Sequence, residues 1–125
     1  MVLRLLFGLK SKQFDIETAF LYGTLEEEIY MKFPDGYERY LQTEKGKDVS
    51  AKDHCLLLLK SLYGLVQAAR QWYNKIADIF AKLDFIASSA DPCLFVKKKK
   101  GNEVPAFIIL YVDDGAIIGT DEVIN

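Results

Sequence analysis

Apolar residues recur along this chain in two rhythms. Between positions 67 and 83 they fall at steps of four and three, as Ala68, Trp72, Ile76, Ile79, Phe80 and Leu83, drawing one stripe down an amphipathic helix. Elsewhere the runs are short. Positions 13–16, 29–33, 55–59, 93–96, 107–112 and 116–118 each predict a strand, with 55–59 pairing back onto 29–33. Pro34-Asp35-Gly36 is a turn signal, and the lysine run 97–100 before Gly101-Asn102 predicts an exposed strand end and its turn. Positions 2–9 are apolar on most faces and predict a short buried helix. Irregular or single-turn structure is expected around Gly23. Glu26-Glu27-Glu28 suits a first helical turn or a solvated face, and the polar stretch 37–53 suits a surface loop or loose hairpin. Antiparallel strands with one long helix make an α+β arrangement in which helices cover one sheet face.

Composition narrows this picture without supplying a function. The 125 residues are 50% hydrophobic and 27% charged, enough apolar area for one folded domain and too much for a disordered chain. Two cysteines, Cys55 and Cys93, form no Cys-x-x-Cys pair, and His54-Cys55 alone offers too few ligands for zinc. They suit a reducing compartment. The apolar start carries Arg4 and is too short to span a bilayer, so a cytoplasmic or nuclear location with no membrane partner is the expectation. A formal net charge of -2 does not suit a module that grips a polynucleotide by its phosphates alone. It does permit a catalytic core.

The chemistry sits on carboxylates. Asp113 and Asp114 are adjacent in a tight turn between apolar strands, where like charges repel and desolvation is costly. A divalent cation would relieve both penalties, since magnesium favours carboxylate oxygens together with substrate phosphates. A simple surface turn accommodates the pair equally well. Asp15 follows a short apolar strand and is the candidate third carboxylate, although such an aspartate often just satisfies local backbone donors. Spacing alone does not bring it to the pair.

Four blocks in order carry a resemblance. The segments 13–23, 25–31 and 34–37, from Gln13-Phe14-Asp15-Ile16 through Leu25-Glu26-Glu27-Glu28 to Pro34-Asp35-Gly36-Tyr37, resemble the first catalytic block of copia-type retrotransposon reverse transcriptases. Lys60-Ser61-Leu62-Tyr63-Gly64-Leu65, with Gln67-Ala68 and Arg70-Gln71-Trp72-Tyr73, resembles the second. Asp91-Pro92-Cys93-Leu94-Phe95 and Tyr111-Val112-Asp113-Asp114 complete the series. The resemblance implies a polymerase palm in which Asp15, Asp113 and Asp114 are the catalytic, metal-binding carboxylates, with Asp15 and Asp113 the main ligands of magnesium, or of manganese in its place. It implies attack of a primer 3′ hydroxyl on the α-phosphorus of a deoxynucleoside triphosphate, directed by an RNA or DNA template. Phe20 would lie under the incoming sugar, and Gly64, Gln67 and Arg70 would border the nucleotide.

Departures from the same pattern set further expectations. Val66 and Ala69 stand where lysine and proline are common, and Gly115 replaces a larger apolar residue, which predicts a loosened return strand. The connector Ser11-Lys12 looks shortened, which predicts altered geometry around Asp15. The expected unit is a single incomplete palm spanning 1–125, with the fingers mostly missing and the thumb and ribonuclease H regions absent. Such a unit would need further polymerase segments to position its substrates and is not expected to extend a primer alone. The competing expectations are a non-catalytic retroelement relic and a nucleic-acid or interaction module.

Overall fold

The computed structural model describes residues 5, 8–97, 101 and 104–124. Its centre is a five-stranded antiparallel sheet of order β1-β7-β6-β5-β4, built from β1 (Lys10–Asp15), β4 (Phe85–Ala87), β5 (Leu94–Lys97), β6 (Phe107–Tyr111) and β7 (Asp114–Gly119). A two-stranded sheet pairs β2 (Tyr30–Met31) with β3 (Leu56–Leu57). Helix α1 spans Tyr37–Lys45, α2 spans Ala68–Lys82, and α3 spans Asp121–Ile124. The α+β expectation holds. The expected helix at 2–9 falls mostly outside the described residues, as does most of the lysine run.

Strand alternation sorts the large sheet into two unlike faces. Along β6, Ile108 and Leu110 are buried while Ile109 and Tyr111 are exposed, the period of two that a half-covered strand requires. Ile108 lies opposite Phe95 and Ile117, so the inward row runs continuously across three strands. Helix α2 covers that row with Ala68, Trp72, Ile76 and Phe80, all spaced by four, and the Phe80 ring meets Phe95 edge-on at 4.9 Å between centroids. The stripe is narrower than the sequence pattern suggested. Ile79 and Leu83 are 40% and 57% exposed, because a line of four-residue steps already fills the contact with the sheet.

Several local expectations change. Residues 37–45 are helical rather than loop: Gly36 and Gly46, both left-handed, bracket α1, and the Gly46 N–H closes it on the Leu41 carbonyl. No residue of α1 is buried, and its apolar residues, Tyr37, Tyr40 and Leu41, make only a single-turn stripe. Phe85–Ala87 adds a strand that the pattern did not mark, paired with β5 after a left-handed Asp84 reverses the chain. Glu26-Glu27-Glu28 is solvated and non-helical. The 29–33 and 55–59 strands do pair, but over two residues each.

Candidate functional site

Register builds the site. Strand β1 pairs with β7 without a break from Lys10 opposite Gly119 to Asp15 opposite Asp114. Directly opposed residues project to the same face, so the Asp15 and Asp114 carboxylates share the open side of the sheet, and Tyr111 joins them as the β6 partner of Asp114. One step further along, the Ile16 N–H donates to the Asp113 carbonyl at 3.0 Å, which fixes the turn against the end of β1. Asp15 and Asp114 border an open depression of about 620 Å³ with Gln13, Ile109, Tyr111 and Ala116. The connector at Ser11-Lys12 is thus continuous strand and does not distort the approach to Asp15.

The tight turn is Val112-Asp113, because Asp114 and Gly115 already belong to β7. Gly115 does not loosen that strand. It pairs with Phe14 on one side and Leu110 on the other, and a β-carbon there would overlap the Phe14 ring. Phe14 therefore occupies the volume that a larger residue at 115 would take. Two β-branched residues, Val112 in the tight turn and Thr18 at the start of the 3₁₀ turn after β1, have φ of 58° and 56°. Left-handed backbone is costly for such side chains and concentrates where function over-determines the conformation.

The other sequence-selected residues surround this point unequally. Phe20 lies in the 3₁₀ turn Ala19–Tyr22 and packs on Tyr63, ring centroids 4.7 Å apart. Gly64 is left-handed at φ 93°, and Gln67, at the start of α2, donates its amide to Glu27 at 2.8 Å. Arg70 is exposed on the first turn of α2, and Val66 is 99% exposed. The first and second blocks meet closely: the Ser61 N–H donates to the Gly23 carbonyl, while the buried Ser61 hydroxyl has no partner among the described residues. Ala69 lines a small apolar cavity of about 150 Å³ with Phe20, Trp72, Tyr73, Cys93, Leu110 and Val112. Burial raises the Tyr73 phenol above its ordinary 10.0, with Cys93 and Asp91 acting the same way, and the protonated hydroxyl donates to the Pro92 carbonyl at 2.8 Å.

Sequence patterning understated two residues. Trp72 is a core residue at 3% exposure, as its place in the stripe implies, yet its indole N–H also donates to the Val112 carbonyl at 2.6 Å. Tyr63 supports Phe20 from the second block. An obligate indole donor at a buried position was the available signal for the first; an aromatic beside Gly64 gave none for the second. Both cysteines are free and exposed, and no set of three or more His, Cys, Asp or Glu side chains gathers at metal-holding distance among the described residues.

The family profile described as "Reverse transcriptase (RNA-dependent DNA polymerase)" matches residues 6–125. The chain belongs to the reverse transcriptase family. Its similarity is to copia-type elements: it is 42% identical over 115 residues to the retrovirus-related Pol polyprotein from transposon TNT 1-94 of Nicotiana tabacum, covering 91% of this chain and 8% of that protein. The Pol polyprotein from transposon RE2 of Arabidopsis thaliana is 34% identical over 90% of the chain and 7% of its own length. The putative transposon Ty5-1 protein of Saccharomyces cerevisiae is 31% identical over 80% of the chain and 29% of its own length. This reverse transcriptase segment therefore spans a small part of the curated relatives it matches. No solved structure matches it significantly. Among its described residues, no helix is long and apolar enough to cross a membrane.

Proposed function

We propose that this segment is the palm of an RNA-templated DNA polymerase, in which Asp15, Asp113 and Asp114 form the catalytic centre. The observation that carries the proposal is the β1–β7 register, which sets Asp15 opposite Asp114 on the open sheet face and ties Asp113 to Ile16. The substrates would be a primed RNA or DNA template and deoxynucleoside triphosphates, and the reaction would join the primer 3′ hydroxyl to the α-phosphorus with release of pyrophosphate.

The donor set suits magnesium. Exposed carboxylate oxygens are its preferred protein ligands, and Asp15 and Asp114 on one face leave the remaining positions to water and substrate phosphates; Asp113, expected as a main ligand, is tied to Ile16 through its backbone and joins no three-carboxylate group among the described residues. Bound there, the ion would offset charge on the attacking and departing oxygens. Around it, the chain's own residues would orient the nucleotide. Phe20, propped by Tyr63, would set a steric limit at the sugar; Gly64 would leave room for close backbone approach; Gln67 and Arg70 would face the polar groups, with Glu27 fixing the Gln67 amide.

Val66 favours a second reading. At 99% exposure, where lysine is common in the family, it offers no charge to a phosphate, as in a relic that keeps the fold without turnover. Manganese titration of the chain, with and without a deoxynucleoside triphosphate, separates the two. Asp15→Asn and Asp114→Asn are each expected to weaken binding about tenfold, a loss of about 1.4 kcal/mol. Superimposable curves for wild type and both variants would sink the assigned centre. Primer extension by a hybrid in which this segment replaces the matching 115 residues of the TNT 1-94 Pol polyprotein, lost in Asp113→Asn, is the expected result for the polymerase; no extension by that hybrid would favour the relic.

A further inference from the structure

We propose that Trp72 is a positioning residue that holds the catalytic turn in its left-handed conformation. Val112 is β-branched at φ 58° and is the first of the two central residues of the β6–β7 hairpin, so the Tyr111–Asp114 pairing imposes a conformation that its branched side chain resists. Its carbonyl is the acceptor of the Trp72 indole, at a short 2.6 Å. That indole has no freedom to search for another acceptor, because Trp72 is 3% exposed and locked in the core beside Ile76 and Phe80. The hydrogen bond therefore runs from the most rigid part of the molecule to the one strained residue between Tyr111 and the carboxylates.

The consequence reaches both sides of the site. Rotation of Val112 out of the left-handed region would reorient Asp113 and loosen the bond from the Ile16 N–H to the Asp113 carbonyl, which in turn aligns Asp15. Helix α2, which carries the second block, thus sets the relative placement of the aspartates in the first and last blocks. The metal part of this inference rests on the proposed carboxylate centre; the conformational part does not.

The chain has one tryptophan, so its indole N–H gives one nuclear magnetic resonance signal. In the wild-type chain that proton is expected to exchange with water far more slowly than a free indole, and exchange at the free rate overturns the proposal without any mutant. Trp72→Phe keeps an aromatic ring in the core and removes the donor together with the pyrrole half of the indole. It should speed exchange of the Ile16 amide about three- to tenfold, the range of one net hydrogen bond, while leaving the Phe95 and Ile108 amides unchanged. A uniform rise at all three would mean a general packing role and would overturn it, as would no change at Ile16. Adding Val112→Gly to Trp72→Phe should restore part of the Ile16 protection, because glycine adopts positive φ without the strain of a β-branched residue and leaves nothing for a clamp to oppose; failure of that rescue also counts against the proposal. Manganese affinity should fall in Trp72→Phe and return in the double variant. If the wild-type chain binds no manganese, the metal reading fails while the exchange results still decide the clamp.

Discussion

Gly115 and Phe14 show how a departure at one residue is absorbed at another. A glycine after paired aspartates suggests a weakened strand, yet the Phe14 ring fills the space beside it from the neighbouring strand, and β7 stays paired on both sides. An aromatic ring across from a strand glycine shields its backbone and restores packing that the missing side chain would have given. Gly115→Met alone is expected to overpack the site and cost about 1–3 kcal/mol in urea unfolding, and Phe14→Leu in the same chain should recover part of that loss. A neutral Gly115→Met with Phe14 intact would show that the two residues do not share one volume. Ser61 poses the reverse case, a buried hydroxyl without a partner at the junction of the first and second blocks.

At the level of elements, α2 organises the molecule because its buried line falls at every fourth residue. Ile76 and Ile79 lie three residues apart with the same side chain, but Ile76 is 5% exposed and Ile79 is 40% exposed. Ile76→Ala is expected to lower stability by about 2–5 kcal/mol through lost burial and a residual cavity. Ile79→Ala should cost under about 1 kcal/mol, since its better helix propensity offsets part of the smaller burial. Denaturant midpoints of the two variants test this directly; equal losses would mean that α2 is rotated from the orientation described. The same helix delivers Trp72 to Val112, so its rotation matters for the carboxylate turn as well as for stability.

Across the whole molecule, stability is unevenly distributed. The large sheet and α2 share one core of Trp72, Ile76, Phe80, Phe85, Phe95, Ile108 and Leu110. By contrast α1, β2 and β3 bury no residue, and an aromatic group of Phe33, Tyr37 and Tyr40 packs locally beside them. Hydrogen exchange should therefore show α1 amides opening well before those of β6, through local rather than global unfolding. Equal protection in α1 and β6 would contradict this division. Such an arrangement suits a scaffold whose open face, with Asp15 and Asp114, is held by its most stable part.

The long helix, whose apolar residues repeat with one clear period, and the family were both legible in the order of residues. The α2 stripe is a local pattern of burial, and the four ordered blocks need only the order of residues, whereas the alternation of β6 is not written in its all-apolar Phe107-Ile108-Ile109-Leu110-Tyr111 and arises only when one face is covered. The sequence also marked Asp15, Asp113 and Asp114 as candidate chemistry, but could not relate them, because a spacing along the chain does not fix a register across strands. Only the tertiary structure set Asp15 opposite Asp114, placed Phe14 over Gly115 and brought the Trp72 indole to the Val112 carbonyl. Helix α1 escaped the pattern for a related reason: its one apolar group, Tyr37, Tyr40 and Leu41, packs only locally and spans a single turn, too short a stripe to stand out from the polar residues around it.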